Sequence, residues 1–218
     1  MRTVLAWILW LSVCLVIVGA FSAATQPSTQ GFVGGTGRIL YFHVPMAWVS
    51  FVAFLAAGVW SLLYLARGRQ RRHDRAAHVA VELGLLFGVL ATLSGSVWAR
   101  VQWGAYWNWD PRQTSILLAL LFYGAYLALR GAVEDRQTQS RLAAAYAVLG
   151  LAVAPFLYFV LPRLAPFTLH PEPVVNTAGK VEMAKPILLV LLGGAASFTA
   201  FFFWLHNLQC RLRALSER

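Results

Sequence analysis

Apolar residues dominate this chain in six long blocks, with polar residues gathered in the gaps between them. The blocks run at about Val4–Ala23, Ile39–Ala66, Ala77–Ala99, Ser115–Leu129, Leu142–Leu161 and Pro186–Leu205. Several reach the roughly 20 residues that carry a helix across a bilayer. The pattern predicts an all-α integral membrane protein, a single domain over residues 1–218 with six transmembrane helices. The first block follows Arg2 and ends in Ala-Phe-Ser-Ala-Ala, which imitates a secretory signal. Its apolar run exceeds the about 7–15 residues of a signal peptide's core, so a retained helix is expected. The second block is longer than a bilayer needs, and its start, His43-Val44-Pro45-Met46, is expected to reach toward one surface. Pro45 is tolerable in a first turn, where amides lack helical partners.

Composition agrees with the pattern. The chain is 59% hydrophobic and 12% charged, against about 25% charged for soluble domains. A formal charge of +10 would suit nucleic acid in a soluble protein. Here the placement of the charge explains it better. With the amino terminus in the cytoplasm, twelve of the eighteen basic residues fall on inner segments, most of them in Arg67–Arg75, Arg130–Arg141 and the tail after Leu205. That excess is the loop-charge asymmetry of membrane proteins. Both termini are then cytoplasmic, and no nucleic-acid partner is implied. Cys14 and Cys210 fall at different membrane depths, so no disulfide is expected. No Cys-x-x-Cys pair is present for covalent heme attachment.

Between the third and fourth blocks runs Gln102-Trp103-Gly104-Ala105-Tyr106-Trp107-Asn108-Trp109-Asp110-Pro111-Arg112-Gln113-Thr114-Ser115. An aromatic cluster in a connection needs a cover, whether lipid, partner or flat ligand. The topology places it on the outer side. It also sorts the histidines. His43 and His170 fall outside, whereas His73, His78 and His206 fall inside and read as interfacial or solvated. His43 would lie about one turn inside the second helix, roughly 6 Å below its start. His170 lies on the proline-rich connection Arg163–Lys185, which also holds Glu172 and Glu182.

Taken alone, His43 reads equally well as a helix-end residue bonded to a carbonyl, and His170 as a solvated loop residue. Facing each other over an aromatic slot, two neutral imidazoles are what a bis-ligated heme iron needs. Indole faces suit the porphyrin disc, and arginines suit its carboxylates. Arg112, Arg100, Arg38 and Arg163 are the outer candidates. Asp110 reads either as the cap of the next helix, with Pro111 at its first position, or as a partner contact. Trp7, Trp10, Trp48, Trp60, Trp98 and Trp204 read as interface residues.

Trp103-Gly-Ala-Tyr-Trp-Asn-Trp-Asp-Pro-Arg-Gln-Thr-Ser115 resembles the tryptophan-rich "WWD" motif of heme-handling proteins of cytochrome c assembly. Six spans with one outer histidine on each side of the motif resemble the CcmC type, and the resemblance covers essentially the whole chain. It implies a bacterial inner-membrane protein that binds heme b non-covalently on the periplasmic side. It also implies delivery of that heme to the chaperone CcmE, beside the transporter subunits CcmA and CcmB and the small membrane protein CcmD. By position His43 and His170 match the axial ligands, and Trp103, Gly104, Trp107, Trp109 and Asp110 match the motif, with Tyr106 and Arg112 as further heme contacts. Tyr106 stands where the family usually has tryptophan, and Pro111 where a small residue is common.

No ATP-binding loop, no paired carboxylates on one apolar face and no nucleophile beside a base is visible, so the chain does not read as an enzyme. Two other readings remain. One is a b-type electron-transfer subunit, which needs ligands facing each other at membrane depth. The other is a heme permease, which needs a polar path. Glu82 is the one acid near a span interior.

Overall fold

Helix α3 (Arg71–Trp103) is the longest element and the wall on which the outer site is built. The computed structural model describes residues 2–22, 34–171, 179–181 and 183–217. Around α3 stand α1 (Arg2–Ser22), α2 (Leu40–Ala66), α4 (Pro111–Ala132), α5 (Arg136–Pro155), α6 (Leu161–Leu164) and α7 (Lys185–Ser216). A 3-10 turn, Gly34–Ile39, leads into α2, and a π-helical segment, Phe156–Val160, joins α5 to α6 in one rod. No strand occurs among the described residues. Five rods, Gly35–Ala66, Arg71–Trp103, Pro111–Ala132, Arg136–Leu164 and Lys185–Ser216, are long and apolar enough to span a membrane, and Leu9–Phe21 adds a shorter apolar helix. Five of the six expected spans are present at that length, and the first expected span coincides with α1, whose apolar stretch is shorter. The signal-like segment after Ser22, Pro173 and both Glu172 and Glu182 fall outside the described residues.

Several boundaries move. The third span begins six residues before Ala77 and ends at Trp103 rather than Ala99, so Gln102 and Trp103 belong to a helix and not to a loop. The polar turn Arg71–Ala76 conceals the helix start from hydropathy. The fourth begins at Pro111, which puts Arg112 through Ser115 on α4. The sixth runs on to Ser216. The 3-10 turn lengthens the rod above His43, so this histidine lies deeper than one turn from its start.

Helix α2 is central and packs against α3, α5 and α7, while α1 leans on α7. Glycines on one face of α3 admit α2 closely. A Cβ at Gly84 would come 2.6 Å from Phe54 Cε1, and one at Gly88 2.9 Å from Ser50 Oγ. Phe54 and Tyr123 stack with centroids 3.6 Å apart at the middle of the core. Pro155 offers no amide to the preceding turn, and the π segment follows it directly. From that segment Tyr158 donates to Ser50 Oγ at 2.9 Å, and Ser50 donates to the Gly84 carbonyl at 2.8 Å.

The inner end is tied by charge. Arg130 holds Asp74 through two bonds of 2.6 and 3.1 Å. Arg213 holds Glu82 at 2.6 Å, and His78 Nε2 lies 3.3 Å from the same carboxylate. His206 Nε2 donates to the Ala76 carbonyl at 2.8 Å, and Trp60 stacks on both His73 and His206. The inner histidines are therefore not solvated. His73 and His206 are buried and His78 is half-buried, because the α2, α3 and α7 ends close around them.

Candidate functional site

The aromatic connection is a short, fully braced turn. Helix α3 stops at Gly104, whose φ of 82° only glycine adopts freely, and the Gly104 amide donates to Arg100 O at 3.2 Å. The Arg100 guanidinium donates to the Gly104 carbonyl and lies 5.8 Å above the Tyr106 ring. The Asn108 amide donates to Gln113 Oε1 at 2.9 Å. Trp109 takes φ 56°, a left-handed conformation that a bulky residue holds only under constraint. Trp107 and Trp109 meet edge to face at 5.8 Å, and Trp109 is 70% exposed.

Asp110 resolves the choice between cap and partner contact. It precedes Pro111 at the first position of α4, and its Oδ1 accepts from the Arg112 amide at 2.9 Å. Its side chain is wholly buried, so it cannot be a surface contact. It also reaches across to the second connection. Oδ2 accepts from Thr168 Oγ1 at 2.8 Å and from the Leu169 amide at 2.7 Å, while Oδ1 accepts from His170 Nδ1 at 2.6 Å. Burial alone would raise the carboxyl's pKa. The hydrogen bonds and charge of His170, with those of Thr168 and the Arg112 amide, outweigh it and hold the group well below the usual carboxylate range.

His43 is held by α3. Its Nδ1 lies 2.9 Å from the Ala91 carbonyl and 3.3 Å from Ser94 Oγ. A carbonyl only accepts, so Nδ1 carries the proton, and the neutral ring keeps its lone pair on Nε2. The Asp110 carboxylate likewise fixes a proton on His170 Nδ1, which turns Nε2 away from it. A Cβ at Gly95 would come 2.7 Å from His43 Cε1, so the imidazole lies against α3 where a side chain is missing. His170 and Arg112 are both within electrostatic reach of the His43 ring. Trp103 packs edge-on to His170 at 5.0 Å and Trp98 lies 6.3 Å from it.

The structure thus gathers His43, His170, Trp103, Asp110 and Arg112 at one end of the helices, with Tyr106, Trp107 and Trp109 on the adjoining turn. Gly104 forms that turn. Of the outer arginines, Arg100 is engaged with Gly104 and Tyr106, and Arg163 donates to Phe159 O at 2.6 Å. Arg38 lies over Phe21 with its Nε buried and without a hydrogen-bond partner. Gly95, Ala91, Ser94 and Thr168 were not legible as site residues, and Trp98 read only as an interface residue. The spacing of Gly84, Gly88 and Gly95 along one helix face was the available signal for Gly95.

The donor set fits heme. It offers two imidazoles, each bonded through Nδ1 so that Nε2 is the nitrogen a metal would take, beside exposed aromatic rings. The sequence profile of the heme exporter protein C family matches residues 1–218. The chain belongs to the heme exporter protein C family. It is 35% identical over 215 residues to the heme exporter protein C of Bradyrhizobium diazoefficiens, covering 99% of this chain and 80% of that one. It is 33% identical over 212 residues to the heme exporter protein C of Paracoccus denitrificans, covering 92% and 87%. A putative cytochrome c biosynthesis ccmC-like mitochondrial protein of Arabidopsis thaliana is 29% identical over 183 residues, covering 84% and 68%. Membership makes this a multi-pass, heme-handling membrane component of cytochrome c biogenesis, and not an enzyme.

Proposed function

We propose that this protein binds heme b at the periplasmic face of the bacterial inner membrane and presents it to the heme chaperone CcmE. His43 and His170 would be the axial ligands, each through Nε2. The observation that supports this reading is that both rings are tethered through Nδ1 beside the same stretch of α3, His43 by the Ala91 carbonyl and His170 by Asp110 against Trp98 and Trp103. Bound heme would supply the iron that these nitrogens hold. Trp103, Trp107 and Trp109 would cover the disc, and Arg112 would face a propionate. Tyr106, Trp109 and Phe167 are exposed apolar rings at this end and would receive the chaperone. CcmA, CcmB and CcmD would complete an ATP-driven assembly around the spans.

The inner acids are engaged in ion pairs that tie α3 to α4 and α7, which speaks for a platform over a permease. The test is hemin titration of the purified chain in detergent. A low-spin bis-histidine spectrum is expected, with loss of one axial ligand in His43→Ala and in His170→Ala. An unchanged spectrum in both variants would sink the ligand assignment.

A further inference from the structure

The two histidines are tethered by acceptors of unequal charge, and that asymmetry bears on how a bound heme would leave. His170 donates from Nδ1 to a buried carboxylate at 2.6 Å. His43 donates from Nδ1 to a neutral backbone carbonyl at 2.9 Å, with a hydroxyl at 3.3 Å. A full negative charge behind an imidazole draws its proton outward and enriches the opposite nitrogen, which makes it a stronger metal donor. A carbonyl dipole does this more weakly. The carboxylate is well fixed for the role. Two further loop donors, Thr168 Oγ1 and the Leu169 amide, hold Oδ2, while the Arg112 amide shares Oδ1. His170 and its acceptor thus form one braced unit between α4 and the second connection.

We infer that Asp110 is a positioning residue that makes His170 the strong axial ligand and leaves His43 the exchangeable one, so that heme is handed over by release from His43 first. This rests on the ligand pair proposed above. In the exchange the bond between iron and His43 Nε2 breaks, the lone pair returns to that nitrogen, and an incoming donor takes the vacated position. His170 keeps hold until the second step.

The inference makes opposed predictions for two substitutions. Asp110→Asn keeps a capping oxygen but removes the charge, so the ferric–ferrous midpoint potential of heme-loaded protein should shift upward. Thr168→Val removes a hydroxyl that competes for the carboxylate, so the potential should shift downward. General loosening of the loop would move both the same way. A second readout identifies the retained ligand. Carbon monoxide added to the reduced, loaded protein replaces the weaker imidazole. If His170 stays bound opposite it, the C–O stretching frequency changes in Asp110→Asn; if His43 stays, it does not.

Opposite potential shifts with a moved C–O stretch support the inference. Unmoved potentials in both variants, shifts of one sign, or an unmoved stretch overturn it. Should Asp110→Asn fail to hold heme, Thr168→Val decides alone: a lower potential supports, and any other result overturns. Failure of the wild-type chain to load heme with a bis-histidine spectrum would instead overturn the proposed function.

Discussion

Asp110 performs two tasks, capping one helix and clamping a histidine sixty positions along the chain. Its depressed pKa sets a pH dependence. A carboxyl whose folded pKa lies below its unfolded value of about 4 contributes stability that is full above that value. The contribution is lost as pH falls below it through the depressed value. Trp98 and Trp103 flank His170, so their fluorescence reports the clamp. An acid transition beginning only below about pH 4 is expected for wild type, and Asp110→Asn should lack it. At Gly95 a methyl group would press on the His43 ring. Gly95→Ala should lower the melting temperature modestly, because displacing the ring and its bond to Ala91 O outweighs the helix preference of alanine, up to about 1 kcal/mol. Heme loading by titration should fall as well. The motif made Asp110 visible as a candidate, but its partners were not. His170 and Thr168 lie in a distant connection, and nothing in their local sequence shows which wall they meet.

At the scale of elements, the α2–α3 seam and the aromatic turn control the site. Gly84→Val would drive side-chain atoms into Phe54, and overpacking of this kind costs about 1–3 kcal/mol. A lower melting temperature is expected together with weaker heme binding, because His43 is carried by one helix of the seam and held by the other. Trp109→Gly tests the turn differently. Glycine relieves the left-handed conformation, a strain of about 1 kcal/mol, so thermal stability should hold or rise while heme loading falls with the lost indole. Loss of stability in that variant would show that the ring itself braces the turn. The spans were legible as apolar blocks, yet their ends were not. The start at Arg71 is polar and is held by backbone hydrogen bonds, and the start at Pro111 is fixed by the Asp110 cap, neither of which hydropathy registers.

For the whole molecule, the orientation can be checked directly. In a background of Cys14→Ser and Cys210→Ser, Phe167→Cys should react with a membrane-impermeant thiol reagent in intact cells. Arg69→Cys, in the basic turn at the opposite end, should react only after permeabilisation. The reverse pattern would invert the topology and remove the periplasmic site. The burial of His73 and His206 shows where reading by composition stopped. His73 follows two arginines and His206 follows the last apolar block, so each read as interfacial or solvated. Assembly of three helix ends around them decided otherwise.

The sequence by itself determined the membrane class and the apolar rods, and its dense motif and loop charge singled out His43 and His170 as candidates, because hydropathy, charge and motif are all local quantities. Only the tertiary structure decided that His43 rests on Gly95 and Ala91, that His170 is clamped by Asp110, and that the two imidazoles are held by acceptors of different charge. Those facts depend on which helix faces meet and at what register, and contacts between residues some fifty to sixty positions apart are written in packing rather than in any local pattern.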